Sequence, residues 1–278
     1  MTEKIPIYDN HIHLSPGGRN IGALKEFESA GGTGLTLVTL PYEEIKISNA
    51  DDIRRSYDIT LSMADRARSM TGLKINVAVG PYPVLIVPLA KHLGLEKAES
   101  VMTEGIRIAA ELVASGKADA IGEIGRPHFD VPAEIKEASD RILAYGMESA
   151  SRVGCPVIIH SESGSPELMR ELSGMAKAAS LEPGRVIKHF SPPLVRDDET
   201  HGVFPSIPAS KKAVREALSK GDRFMLETDY IDDPERPGAV MSVNTVPNKV
   251  RGMTGSGEMS PETAWKIGHD IPKRMFER

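Results

Sequence analysis

The segment Ile5-Pro6-Ile7-Tyr8-Asp9-Asn10-His11-Ile12-His13 places two imidazoles one residue apart at the end of an apolar run. In an extended strand, side chains at i and i+2 share a face, so His11 and His13 stand side by side. Imidazole is the commonest protein ligand for transition metals, and such a pair just before a loop is half of a metal site. Four later segments supply the other half. Glu123 lies within Ile121-Gly122-Glu123-Ile124-Gly125, His160 follows Val157-Ile158-Ile159, His189 follows Val186-Ile187-Lys188, and Asp229 closes Leu226-Glu227-Thr228-Asp229. Any one of these reads equally well as a satisfied core histidine or a solvated carboxylate; six together at the ends of apolar runs do not. Nitrogen and carboxylate donors suit a divalent ion such as zinc, manganese or iron. Six are too many for one tetrahedral ion and suit two ions sharing a carboxylate. Paired ions lower the pKa of a bound water and stabilise the oxygens of an in-line displacement.

These side chains need elements that gather their strand ends in one place. Strand patterns fall at 5–13, Thr33–Leu40, Leu73–Gly80, Asp119–Gly125, Pro156–Ser161, Arg185–Phe190, Gly202–Pro208 and Arg223–Asp229. Amphipathic helical patterns occupy about 20–30, 51–70, 96–116, 133–153, 165–180, 210–220 and 260–275. Several strand runs are continuously apolar, as in parallel strands buried on both faces. Eight strands alternating with helices predict an α/β fold of the TIM (β/α)8 barrel type, with residues 1–278 as one domain. Active sites of this fold form at the carboxyl ends of its strands, where all six side chains fall.

Composition narrows the function. At 40% hydrophobic residues the chain can bury a large core, and the single Cys155 excludes an internal disulfide and a cysteine-built metal site. No stretch has the apolar length of a membrane span. The His pair lies within the first thirteen residues, which leaves no room for a signal peptide, so a cytoplasmic location is expected. A net charge of −5 and 5% aromatic residues argue against binding long nucleic acid by bulk electrostatics or stacking. The expected partner is a small molecule or a short nucleic-acid substrate, with no membrane and no obligate protein partner.

The motifs Asp9-Asn10-His11-Ile12-His13, GEIG at 122–125, PVIIHS at 156–161, RVIKHFS at 185–191 and LETDY at 226–230 occur in an order that resembles the TatD-type metal-dependent hydrolases of the amidohydrolase superfamily. The resemblance runs from Ile5 to about Arg251. It implies two divalent ions, zinc, manganese or magnesium. His11, His13 and Asp229 would bind one, His160 and His189 the other, and Glu123 would bridge them. Relatives outside this branch often bridge with a carbamylated lysine, so glutamate at the fourth strand favours the TatD branch. Asp229 is also expected to accept the proton of the attacking water.

Two departures bear on substrate. GEIG is followed here by Arg126-Pro127-His128-Phe129-Asp130 rather than by leucine and aspartate, and His160 by Ser161-Glu162-Ser163 rather than by a nearby arginine. Glu162 removes a phosphate contact and repels a polyanion; Arg126 is expected to restore the contact as a phosphate clamp, and His128 to reach the substrate. The expected reaction is phosphoester hydrolysis at a nucleotide or nucleic-acid end. The alternative is hydrolysis of a small amide or lactone. A metal-binding scaffold without turnover is a third reading, opposed by the completeness of the six ligands. Among other residues, Asp9 and Glu227 are placed to support ligands, and Lys188 to point away into a salt bridge. Asp197-Asp198-Glu199 reads as a solvated loop, Trp265 as packing, and His92, His201 and His269 as non-ligands.

Overall fold

Aliphatic and β-branched runs bounded by Gly, Pro and polar residues set the strands of the computed structural model, which describes residues 5–235 and 241–277. The strands are β1 (Tyr8–His13), β2 (Gly34–Val38), β3 (Lys74–Val79), β4 (Ala120–Gly125), β5 (Val157–His160), β6 (Val186–Lys188), β7 (Phe204–Pro208), β8 (Met225–Glu227) and β9 (Tyr230–Ile231). The helices are α1 (Ile21–Ser29), α2 (Ala50–Met70), α3 (Ile86–Leu93), α4 (Leu95–Ala114), α5 (Ala133–Val153), α6 (Pro166–Ala178), α7 (Asp197–Thr200), α8 (Lys211–Lys220), α9 (Thr245–Gly255), α10 (Pro261–Trp265) and α11 (Ile271–Phe276).

All eight strand patterns form strands, and every pairing among them is parallel. The sheet order is β8-β7-β6-β5-β4-β3-β2-β1-β9. Only Thr228 and Asp229 separate β8 from β9, so the two ends of the sheet meet in one broken strand and the barrel closes. Hydrogen bonds seal the seam: Thr228 N donates to Asp9 Oδ1 at 3.1 Å, and Asp232 N to His13 O at 3.1 Å. The TIM-barrel expectation is met.

Alternation along each strand divides the core. Leu35, Leu37, Val77, Ile121, Val157 and Ile159 pack outward against Phe27, Tyr57, Ile106 and Leu172 of the helices. Val38, Ala78, Ala120, Ile158 and Ile187 join a second cluster, with Phe204, Met225 and the C-terminal helices. Both faces are therefore apolar, which is why the strands read as continuous hydrophobic runs.

The structure corrects several boundaries. β6 ends at Lys188 and β8 at Glu227, so His189 and Asp229 lie just past their strands rather than on them. Helices α3 and α9 escape the sequence pattern because each carries a proline in its first turn, Pro88 and Pro247, where proline is tolerated but reads as a breaker. Asp197–Thr200 is a helical turn, and Glu199 is buried rather than solvated. Lys188 is buried and donates to the carbonyl of His189 at 2.7 Å; no salt bridge is formed by it among the described residues. No helix among the described residues is long and apolar enough to cross a membrane.

Candidate metal centre

Two of the strands that carry site residues break their pairing register where those residues sit. The β1–β2 ladder shifts between Asp9 and Ile12, around His11, and the β4–β5 ladder shifts between Gly122 and Ile124, at Glu123. Such irregularities re-aim a side chain. The glycines of GEIG permit the close approach that this demands. A Cβ at Gly125, whose φ is +137°, would stand 2.0 Å from the carbonyl oxygen of His160, and one at Gly122 would meet the Ile158 side chain at 2.6 Å. Larger residues at either position would push β4 off β5 and part Glu123 from His160.

The six predicted donors converge. His11 Nε2 and His13 Nε2 lie 3.1 Å apart, with Asp229 Oδ1 at 3.9 and 3.6 Å from them. Glu123 Oε1 stands 3.1 Å from His160 Nδ1, 3.3 Å from His189 Nε2 and 3.5 Å from His11 Nε2. Three groups among the described residues have their donor atoms close enough to hold an ion: His11, His13 and Asp229; Glu123, His160 and His189; and, on the buried side, His11, His189 and Glu227. The first two open on the cavity and divide the six expected donors between them. One glutamate oxygen reaches both. The backbone sets the aim of these rings: His13 Nδ1 lies 3.0 Å from the Val38 carbonyl, leaving Nε2 for the site. Asp229 adopts the left-handed conformation, φ +51°, which turns its side chain over His13 where a regular strand would carry it past. Asparagine and aspartate accept that conformation more readily than most residues.

The charges are arranged as a site for cations. Burial would raise the Glu123 carboxyl, but His160, His189 and His11 hold it well below the usual carboxylate range. Burial and the facing His189 push His11 well below the usual imidazole value. Burial opposes charge on His189 too, yet Glu227 and Glu123 outweigh it and raise that ring to about 9. Two imidazole nitrogens face each other at 3.1 Å with carboxylates on both sides, so nitrogen and oxygen donors converge on one point. The donor set fits divalent metal.

The centre floors a cavity of about 650 Å³ whose wall includes Leu40, Glu43, Glu44, Tyr82, Asp232, Asp233 and Glu235. Among the described lining residues there is no lysine or arginine. Asp232 is committed to the loop, accepting from the Arg19 and Asn20 amides and from Tyr230 Oη. Tyr82, which the sequence reading missed, sets its ring edge-on to His160 at 5.1 Å; its place directly after the third strand was the available signal.

Arg126 does not face this cavity as a clamp. Its guanidinium is buried and donates to Asp140, Glu171 and Glu162, so every arm of the fork is occupied by carboxylate. The expected clamp is instead a structural ion cluster between the fourth and fifth strand loops and α5 and α6. His128 is exposed, and its Nδ1 lies 2.9 Å from Nε2 of His160, the ring atom turned away from Glu123. Asp9 is fully buried and accepts from the amides of His11 and Thr228, both at 3.1 Å. Neither His92, His201 nor His269 joins a metal-competent group among the described residues.

A closed parallel barrel with imidazoles and carboxylates gathered at the carboxyl ends of its strands defines an enzyme framework for metal-assisted chemistry. The family of TatD related DNases matches residues 8–277, and the chain belongs to it; it is a metal-dependent hydrolase. An uncharacterized protein of Methanocaldococcus jannaschii is 33% identical over 282 aligned positions, covering 100% of this chain and 98% of the relative. Among solved structures, the TatD homolog YjjV of Escherichia coli superposes with a TM-score of 0.67 at 18% identity, covering 98% of both chains. The TatD-like protein of Archaeoglobus fulgidus gives 0.60 at 16% identity, covering 98% of this chain and 100% of the other.

Proposed function

We propose that the chain holds two divalent ions, zinc, manganese or magnesium, and uses them to hydrolyse a small phosphoester substrate. The observation that carries this reading is the pair of three-residue groups meeting at one Glu123 oxygen. His11, His13 and Asp229 would hold one ion and His160 and His189 the other, with Glu123 between them. When bound, such ions acidify a water and draw charge from the oxygens of a phosphoryl group. Asp229 has its side chain 17% exposed, the most open of the carboxylates at the centre, and would take the proton of the attacking water. Glu123, only 4% exposed, is the more enclosed of the two and holds position. Tyr82 and Leu40 form the apolar part of the cavity wall.

Charge limits the size of the substrate. With Glu43, Glu44, Asp233 and Glu235 on the wall and no described cation there, a long polyanion meets repulsion that the ions offset only at the floor. A short ester with one or two phosphates, bound by the metals themselves, is the form that fits; extended DNA is disfavoured. The same absence of a phosphate-binding arginine supports a second reading, hydrolysis of a small neutral amide or lactone. The proposed setting is cytoplasmic, without a membrane or an obligate protein partner.

Elemental analysis of protein purified without chelator is expected to give close to two equivalents. Turnover with manganese, zinc and magnesium should be compared on nucleotides, short single-stranded DNA, aryl phosphodiesters and lactones. Asp229→Asn should keep the fold and most of the metal while losing on the order of a hundredfold or more in kcat. One tightly bound ion in metal excess, unchanged in Glu123→Gln, would end the two-ion reading, and activity confined to lactones or amides would replace phosphoesters with the second substrate class.

A further inference from the structure

Behind the centre, a line of buried polar contacts leaves the strand that supplies His11 and His13 and ends 3.0 Å from the ligand of the opposite group. Glu227, the last residue of β8, is completely buried. Its Oε1 lies 3.0 Å from His189 Nδ1 and accepts the Phe190 N–H at 2.7 Å. Its Oε2 accepts the hydroxyl proton of Ser206, on β7, at 2.5 Å. Ser206 Oγ in turn accepts from Asn10 Nδ2, on β1, at 3.0 Å. Ser206 and Asn10 are themselves fully buried.

The direction of each bond follows from what each group can donate. The Asn10 amide gives its proton to Ser206, so the single hydroxyl proton of Ser206 is free to go to Glu227. Glu227 is therefore an acceptor at Oε2 and, toward Phe190, at Oε1. With an ion bound, His189 would carry its proton at Nδ1, 3.0 Å from Glu227, and leave the lone pair of Nε2, which lies 3.3 Å from Glu123, to the ion. A buried carboxylate without a compensating charge is costly. Apart from His189, the partners of Glu227 are a neutral hydroxyl and a neutral amide. The cationic groups that answer its charge are the His189 ring and the neighbouring buried Lys188.

We infer that Glu227, held by Ser206 and Asn10, is a positioning residue that fixes the tautomer and aim of His189 and thereby sets the affinity of the ion shared by Glu123, His160 and His189. The assignment rests on the two-ion reading. It gives β1 a part in both halves of the centre: His11 and His13 directly in one, and Asn10 through Ser206 and Glu227 in the other. Carboxylates that orient a metal-binding imidazole change metal affinity by about ten- to hundredfold when removed.

The test uses the full chain titrated with zinc against a competing chelator, together with nitrogen-15 NMR of the histidine rings. In Glu227→Gln, one ion should keep its wild-type affinity while the other weakens about ten- to hundredfold, and the His189 signal should move away from the Nδ1–H form. Ser206→Ala leaves His189 and Glu227 in place and should weaken that same ion by a smaller factor, about three- to tenfold, half or less of the Glu227 effect on a logarithmic scale. Equal weakening of both ions, or wild-type affinities with an unmoved tautomer in Glu227→Gln, would overturn the assignment. Wild-type behaviour of Ser206→Ala would overturn the part given to Ser206 and Asn10. A wild-type protein that takes up one ion only would fail the two-ion reading, and the ring tautomer would still judge Glu227 separately. Should Glu227→Gln not fold, Ser206→Ala carries the same two readouts.

Discussion

Asp9 offers a perturbation whose size can be worked from its contacts. One oxygen of this fully buried side chain accepts the amides of His11 and Thr228, each at 3.1 Å, and so ties the His-bearing strand to the turn that presents Asp229. Its other oxygen has no hydrogen-bond partner. Asp9→Ala strands two buried N–H groups at about 1–3 kcal/mol each, or about 2–6 kcal/mol in all. With an unfolding entropy of roughly 2.1 cal/mol/K per residue over 278 residues, about 0.6 kcal/mol corresponds to one degree, so Tm should fall by about 3–10 °C. Asp9→Asn retains the accepting oxygen. Burial pushes the Asp9 carboxyl up to about 8, so a neutral side chain resembles what the metal-free site already holds near pH 7. That variant should therefore stay within about 1 kcal/mol of wild type. Differential scanning calorimetry of both variants, with kcat on the same preparations, reads the difference; the alanine variant should also lose turnover as His11 and Asp229 drift apart. An alanine variant with wild-type Tm and kcat would refute the bracing role. An asparagine variant as damaged as the alanine one would show that charge, not the acceptor oxygen, is what the site needs.

Two further outcomes follow from ion pairs away from the centre. Arg126→Ala should lower stability by about 1–3 kcal/mol, since Asp140, Glu162 and Glu171 lose a shared buried partner but can hydrate in its place; kcat/KM of the folded variant should stay within about threefold, and a ten- to hundredfold loss confined to phosphoesters would reinstate the clamp. Burial would raise the Glu199 carboxyl, yet the Val195 and Arg196 amides and Lys220 outweigh it and draw it down to about 2. Its stabilisation, up to about 3 kcal/mol, is complete above the unfolded value near 4.5 and is lost as pH falls toward 2. Acid unfolding of Glu199→Gln should therefore converge with wild type near pH 2 and diverge above pH 5; parallel curves across that range would refute the linkage.

The strands and the six donors were legible because each donor ends an apolar run, and a run buried on both faces leaves a long hydrophobic signature with an abrupt polar end. The order of five such ends along the chain carried the family resemblance as well. Arg126 was misread because a guanidinium in a loop beside a candidate site has no local mark of its partners. Asp140, Glu162 and Glu171 lie 14, 36 and 45 positions away and reach it only through the packing of α5 and α6. Lys188 failed for a similar reason, since strand alternation gave its direction but not the carbonyl that receives it.

The strand ends themselves show where one-dimensional reading stops. His189 and Asp229 were expected on regular strands, but both lie beyond them, and Asp229 takes a left-handed turn. A regular strand through Thr228 and Asp229 would alternate their side chains across the sheet and set the carboxylate by β-pleat alone. Instead the break lets β8 pair with β7 and β9 pair with β1, so the residue at the break stands over the seam where the barrel closes. Closure of the fold and placement of Asp229 are thus one structural event. The side chain proposed to move the proton is held by the joint that completes the barrel, and Asp9, bonded across that joint to Thr228, keeps it shut.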